Sequence, residues 1–227
     1  QNAVAPANSR PNRNAHRRLR SNRARGAAKE RELFFVLPKR AQNLDAYFDP
    51  FIEGMFWRDP VAFTKGTRAV INQYLNAGVQ AWERVVDALA AVSTKPKHPY
   101  HARRLYDFLA RFPMPDRDLQ WSEYLRRRYA SPTIHRLLTW AQKLSTANMT
   151  PQSAKELVIL LSLVLTTVNR ADRDIATKAL VLIGERFPEV LFSHLETSLA
   201  FNDPYLPERM LAAAYGTTLS LVDSENA

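Results

Sequence analysis

The chain of 227 residues contains no cysteine. Disulfides and thiolate metal sites are both excluded. Glycine is scarce, at six residues, and no Asn-Gly or Asp-Gly pair marks a hairpin turn. Alternating β-branched runs are missing too, so strand signals are nearly absent. No hydrophobic run is long enough to cross a bilayer, which takes roughly 20 apolar residues. The most apolar stretch, Leu157 to Leu165, is ended by Thr166, Thr167 and Asn169 and reads as a buried helix. Gln1 to Ser9 shows no basic region followed by an apolar core, so no secretory signal is visible.

Catalytic motifs are missing as well. There is no GxxxxGK[ST] phosphate loop, no GxGxxG and no GxSxG elbow; Lys65-Gly66-Thr67 is a fragment of none of them. The histidines are His16, His98, His101, His135 and His194. His98 and His101 are three apart, but Pro99 lies between them and no HExxH context surrounds them, so they read as connector or helix-start residues. The paired carboxylates Asp116/Asp118 and Asp172/Asp174 have no nearby His or Lys for a proton relay. They read as acids placed at helix starts, where the dipole favours negative charge. The expectation is a non-enzyme with no catalytic, cofactor-binding or metal-binding residue, any ATPase activity lying outside this chain.

What the chain does have is positive charge in one place. The net charge is +10. Gln1 to Arg31 holds eight Arg and Lys29 against Glu30, or +8, which leaves the remainder at +2. Residues 1–31 read as a basic arm or linker. Its arginines Arg10, Arg13, Arg17, Arg18, Arg20, Arg23 and Arg25 are candidates for nucleic-acid contact through residues 10–31, although no aromatic stands among them for base stacking. Asn14 to Glu32 has helix-favouring composition with little apolar surface, so it orders only against something else. Leu33 to Leu37 reads as a buried helix end.

From about Asn43 onward every long segment has helical character. Asp45 to Trp57 puts Phe48, Ile52, Met55 and Phe56 on one face. A long helix is expected from Gly66–Thr67 to about Val92, its apolar positions stepping by three and four. Ser93 to Pro99 is a connector. Further helices are expected over Tyr100 to Arg111, Asp116 to Tyr129, Pro132 to about Leu144, Pro151 to Val168, Arg173 to Arg186, Glu189 to Phe201 and Pro204 to Leu219. Ser131-Pro132, Thr150-Pro151 and Asp203-Pro204 each put a capping side chain before a first-turn proline. Ser153 and Glu156 offer a capping box as an alternative. Gly184 and Gly216 fall inside helical patterns and permit close packing. Trp57, Trp82, Trp121 and Trp140 read as core. The domain reading is an N-terminal helical part over 32–95 and a C-terminal helical-repeat part over 96–227.

The last third repeats itself weakly. Asp174 to Gly184 aligns with Leu206 to Gly216 at an offset of 32 residues, with one helix between, which is the size of a solenoid unit. Asp116-Arg117-Asp118 is echoed by Asp172-Arg173-Asp174. The fold class expected is all-α: antiparallel helix pairs forming an α-solenoid of HEAT or TPR type, or an irregular helical bundle.

Three segments carry a family resemblance. They are His98-Pro99 with Met114 to Leu125, Thr166 to Leu180, and Asn202 to Gly216. Together they resemble the helical-repeat, sensor-side region of large bacterial STAND-type NTPases, some of which are anti-phage defence proteins. The resemblance covers roughly Leu44 to Leu219. The chain departs from the family in having no Walker motif, so no family active-site residue carries over. The resemblance implies an excised part of a larger cytoplasmic protein. It would be a non-catalytic scaffold that recognises a protein partner, a phage protein among the candidates, with no membrane role. The alternatives are a nucleic-acid-binding protein using the Arg arm and a purely structural helical domain. Trp57, Arg58, Tyr100, Arg103 and Arg104 are the expected partner-binding anchors, because aromatic and Arg residues dominate binding hot spots.

Overall fold

The computed structural model describes residues 45–95, 97–127 and 131–225. The basic arm and the Leu33 to Leu37 run lie outside the described residues. The described residues are helical, with no strand among them. The chain divides into two compact units, 1–66 and 67–227.

The described part of the first unit holds α1 (Asp45–Trp57) and a short 3₁₀ turn (Pro60–Ala62). The buried side chains of α1 are Phe48, Phe51 and Met55, at steps of three and four. Phe51 takes the place expected for Ile52 and Phe56, which are half-buried. Asp59 caps the 3₁₀ turn by accepting from Val61 N at 2.9 Å, and Pro60 follows at the first position.

Helix α2 (Lys65–Leu75) leads into the second unit, where α3 (Val79–Ser93) follows. The single long helix expected over 66–92 is therefore two. The break is chemical. Gly78 sits at φ +114°, a backbone conformation that side chains with a Cβ rarely adopt. Just before it, the Asn76 amide donates 2.7 Å to Asn72 O and satisfies a carbonyl of the last turn.

The rest of the unit comprises α4 (Ala102–Leu109), α5 (114–126), α6 (Pro132–Ala141), α7 (Pro151–Val164), α8 (Arg170–Arg186), α9 (Pro188–Ser198) and α10 (Tyr205–Glu225). Helix α5 contains a π-helical turn over Asp118–Ser122. That turn leaves both Arg117 and Trp121 fully buried while Leu119 stands in solvent.

Helix α7 is the centre. Leu157 to Leu165 are buried without exception, as a helix hydrophobic on all sides must be. It packs against α3, α4, α8, α9 and α10. The all-α class expected, a helical bundle or solenoid, is the one found, with helices near and more distant in sequence packed on one core helix. The connector near residue 95 is not a break in packing, since α3 packs on α4, α6 and α7 across it.

The capping signals were legible in part. Thr150 Oγ1 accepts from Ser153 N at 3.2 Å, and Asp203 Oδ1 accepts from Tyr205 N at 2.9 Å. Ser131 does not cap α6; its hydroxyl turns back to Arg127 O at 3.1 Å. The α6 N-terminus is instead served by Asp87 of α3, which accepts from Thr133 N at 3.0 Å and from its hydroxyl at 2.8 Å. Ser153 and Glu156 form no capping box. Glu156 is buried and accepts at 3.0 Å from Ala102 N, capping the distant helix α4.

The 32-residue repeat has a structural counterpart. Arg173 lies over the Tyr205 ring at 5.5 Å, Thr217 Oγ1 meets Val181 O at 3.5 Å, and Ser220 donates to Glu185 at 2.6 Å. The contacts advance together along α8 and α10, so the two helices run parallel. A Cβ on Gly184 would meet Thr217 Oγ1 at 2.5 Å, and one on Gly216 would meet Val181 Cγ2 at 3.0 Å. Equivalent positions of the two segments thus face each other. Stacked translational repeats would present opposite faces, so the similarity here marks two partners in one close pair.

Candidate functional site

The expected anchors fall into two groups. Trp57 is 80% exposed, and Arg58 lies over the Phe51 and Phe63 rings at 6.0 and 5.1 Å. Both belong to the first unit. Tyr100, Arg103 and Arg104 come together at the start of α4 in the second. There Arg103 and Arg104 are exposed and Tyr100 is half-buried. Arg103 pairs with Asp107 at 2.8 Å and lies over the Tyr106 ring at 5.3 Å. Arg13, Arg17, Arg18, Arg20, Arg23 and Arg25 lie outside the described residues.

The tryptophans split. Trp82 and Trp121 are core; Trp57 and Trp140 are exposed, which corrects their reading as core. The buried face of α6 is Ile134, Leu138 and Ala141, and Trp140 falls beside that row. Trp121 adds a polar function: its indole N–H donates 3.0 Å to Leu163 O. Thr166 Oγ1 donates to the same carbonyl at 2.8 Å. Together they close the C-terminal end of α7.

Three polar constellations sit inside the second unit. Ser162 Oγ is 2.8 Å from both Ile159 O and His194 Nε2. A carbonyl only accepts, so the serine proton goes to Ile159 and His194 donates through Nε2–H. That tautomer has no base directed at the serine, and Ser162 is fully buried. Burial pushes the His194 pKa down to about 4, and the Arg103 charge acts in the same direction. The pair is a neutral core contact, with Tyr106 edge-on to the imidazole at 5.5 Å.

The second constellation joins α3 to α5. Arg127 meets Glu83 at 2.5 Å, and Tyr124 donates 3.0 Å to Asp87. Burial and then the Asp87 carboxylate hold the Tyr124 phenol well above its ordinary pKa.

The third lies at the α9–α10 turn. Arg117 pairs with Asp203 at 3.1 Å, donates to Asn202, and lies 4.6 Å over the Phe201 ring. Arg173 and Arg209 each lie over Tyr205 at 5.5 Å. Both Asp-Arg-Asp echoes therefore send their arginine to one turn, Phe201 to Tyr205. Among the described residues no group of acids and histidines is placed to hold a metal ion, and no helix is long and apolar enough to cross a membrane.

The surface feature that sequence reasoning missed is on α10. Its buried face is Leu206, Met210, Ala213, Ala214 and Thr217. A second apolar row remains outside: Leu211 at 53%, Tyr215 at 67%, and Leu219 and Val222 each at 48% exposure. At 100° per residue the four share one side of the helix, over about 16 Å of its length. The signal was present in the spacing, but a helix with two apolar sides reads as merely hydrophobic until one side is seen to be covered.

No protein family, curated protein or solved structure matches this chain.

Proposed function

We propose that the chain is a non-catalytic helical scaffold that recognises a protein partner. The observation that carries this is the exposed row Leu211, Tyr215, Leu219 and Val222 on a helix whose other side is already packed. A contiguous apolar row with a central tyrosine is the composition of an interface core. The polar constellations of the interior support the same reading. Each is engaged in holding helices together, and none presents a nucleophile with a base and an open approach.

The resemblance to the sensor-side region of bacterial STAND-type NTPases gives the reading a setting: a cytoplasmic defence protein. Binding on the bundle would there be relayed to an ATPase elsewhere in the larger protein. This step rests on analogy of sequence segments.

The test is a capture experiment from bacteria before and after phage infection. Baits are the chain, the chain lacking residues 1–31, and Tyr215→Ser/Leu219→Ser. The proposal expects one infection-specific protein held equally by the first two baits and lost from the third. Nucleic acid held only by the bait with its basic arm would replace the proposal with the Arg-arm reading.

A further inference from the structure

We propose that the α9–α10 face takes a basic amphipathic helix of the partner. This rests on the protein-recognition reading above and names the chemistry of what is recognised. The exposed row on α10 supplies the apolar half of the argument. It is long enough for about three turns of a partner helix, the helix-in-groove mode read as anchors at steps of three and four.

Charge supplies the other half. The chain as a whole is +10, yet residues 188–225 hold six acids and one base. The acids are Glu189, Glu196, Asp203, Glu208, Asp223 and Glu225; the base is Arg209. Asp203 is buried against Arg117, and Arg209 is half-buried against Tyr205. The exposed charges that α9 and α10 present are therefore acidic: Glu189 and Glu196 on α9, Glu208 and Asp223 on α10. His194, the remaining basic side chain of α9, is buried and neutral. Exposed Lys178 and Arg186 lie on α8, the other neighbour of α10.

Acidic charge on the two helices, with Glu208 and Asp223 on the same helix as the apolar row, favours basic partners over acidic ones. Tyr215 at the centre of the row offers a ring face to an incoming Lys or Arg. Nucleic acid, by contrast, is repelled by this face.

The experiment titrates the full chain against three fluorescent synthetic peptides by anisotropy. One is a Leu/Lys amphipathic helix, one has Glu in place of each Lys, and one is the Leu/Lys composition scrambled to remove its amphipathic side. The Leu/Lys helix is expected to bind with one-to-one stoichiometry, the other two not. Tyr215→Ser/Leu219→Ser should weaken it by about tenfold or more, the loss of one interface hot spot. Glu196→Gln/Glu208→Gln/Asp223→Asn should weaken it several-fold and flatten its salt dependence. Equal binding of the Lys and Glu peptides, or unchanged binding by both variants, overturns the inference. If the peptide result is negative while Tyr215→Ser/Leu219→Ser still loses its protein in the capture experiment, the charge assignment falls and the recognition reading stands. If neither responds, both fall.

Discussion

Arg117 and Asp203 form an ion pair at 3.1 Å with both side chains buried, across 86 residues of sequence. The pair joins the first turn of α5 to the turn before α10, and Asp203 also caps α10. Breaking it from one side leaves an unpaired charge in the core, which costs about 3–5 kcal/mol. Asp203→Asn keeps the cap but removes the charge, so its loss reports the pair. Urea denaturation of Arg117→Met, Asp203→Asn and the double variant should show the double to be much less destabilised than the sum of the singles.

Gly184 and Gly216 occupy equivalent positions, yet they should respond differently to alanine. A Cβ on Gly184 would stand 2.5 Å from Thr217 Oγ1 and 2.6 Å from Leu191 Cδ2, two neighbours on two helices. Gly184→Ala should lower stability by about 1–3 kcal/mol, the cost of overpacking. A Cβ on Gly216 meets only Val181, at 3.0 Å. Gly216→Ala should stay within about 1 kcal/mol of the parent, because the helix propensity gained offsets the contact. Thermal melts of the two variants check the contrast.

His194 gives the bundle a pH dependence of defined sign. Its pKa falls from 6.5 to about 4 on folding, chiefly through burial. The unfolded chain therefore binds the proton more readily. Stability from this residue is complete above pH 6.5 and is lost as pH falls towards 4, by about 3 kcal/mol in all. His194→Gln keeps a donor for Ser162 and cannot titrate there. The stability difference between parent and variant should narrow as pH drops through that window.

Tyr215→Ser and Leu211→Ser should be nearly silent in the isolated chain, within about 0.5 kcal/mol by urea denaturation. Leu161→Ser, buried in α7, serves as the contrast and should cost several-fold more.

The helical fold was legible because apolar steps of three and four, first-turn prolines and missing strand chemistry all agreed. The central place of Leu157 to Leu165 followed from an all-round hydrophobic helix. The division of the 66–92 helix was not legible: the apolar steps of three and four continue across Gly78, and a glycine inside such a pattern does not announce its φ of +114°. Glu156 and Asp87 escaped for a related reason. Each caps a helix 54 or 46 residues away, and local spacing carries no record of that. The candidate site was the hardest to see. Trp57 and Arg103 stood out by residue type, whereas the α10 row became visible only when Leu206, Met210 and Ala213 were found to cover the opposite side.

The most direct test of partner recognition on α10 is site-specific photo-crosslinking in infected bacteria. A benzophenone amino acid is placed at Tyr215 and, as the control, at exposed Arg136 on α6. The account predicts one protein crosslinked from position 215 and not from 136, and lost when Leu211 and Leu219 are both serine. The same crosslinks from both positions, or none from 215 while the arm captures nucleic acid, would contradict it.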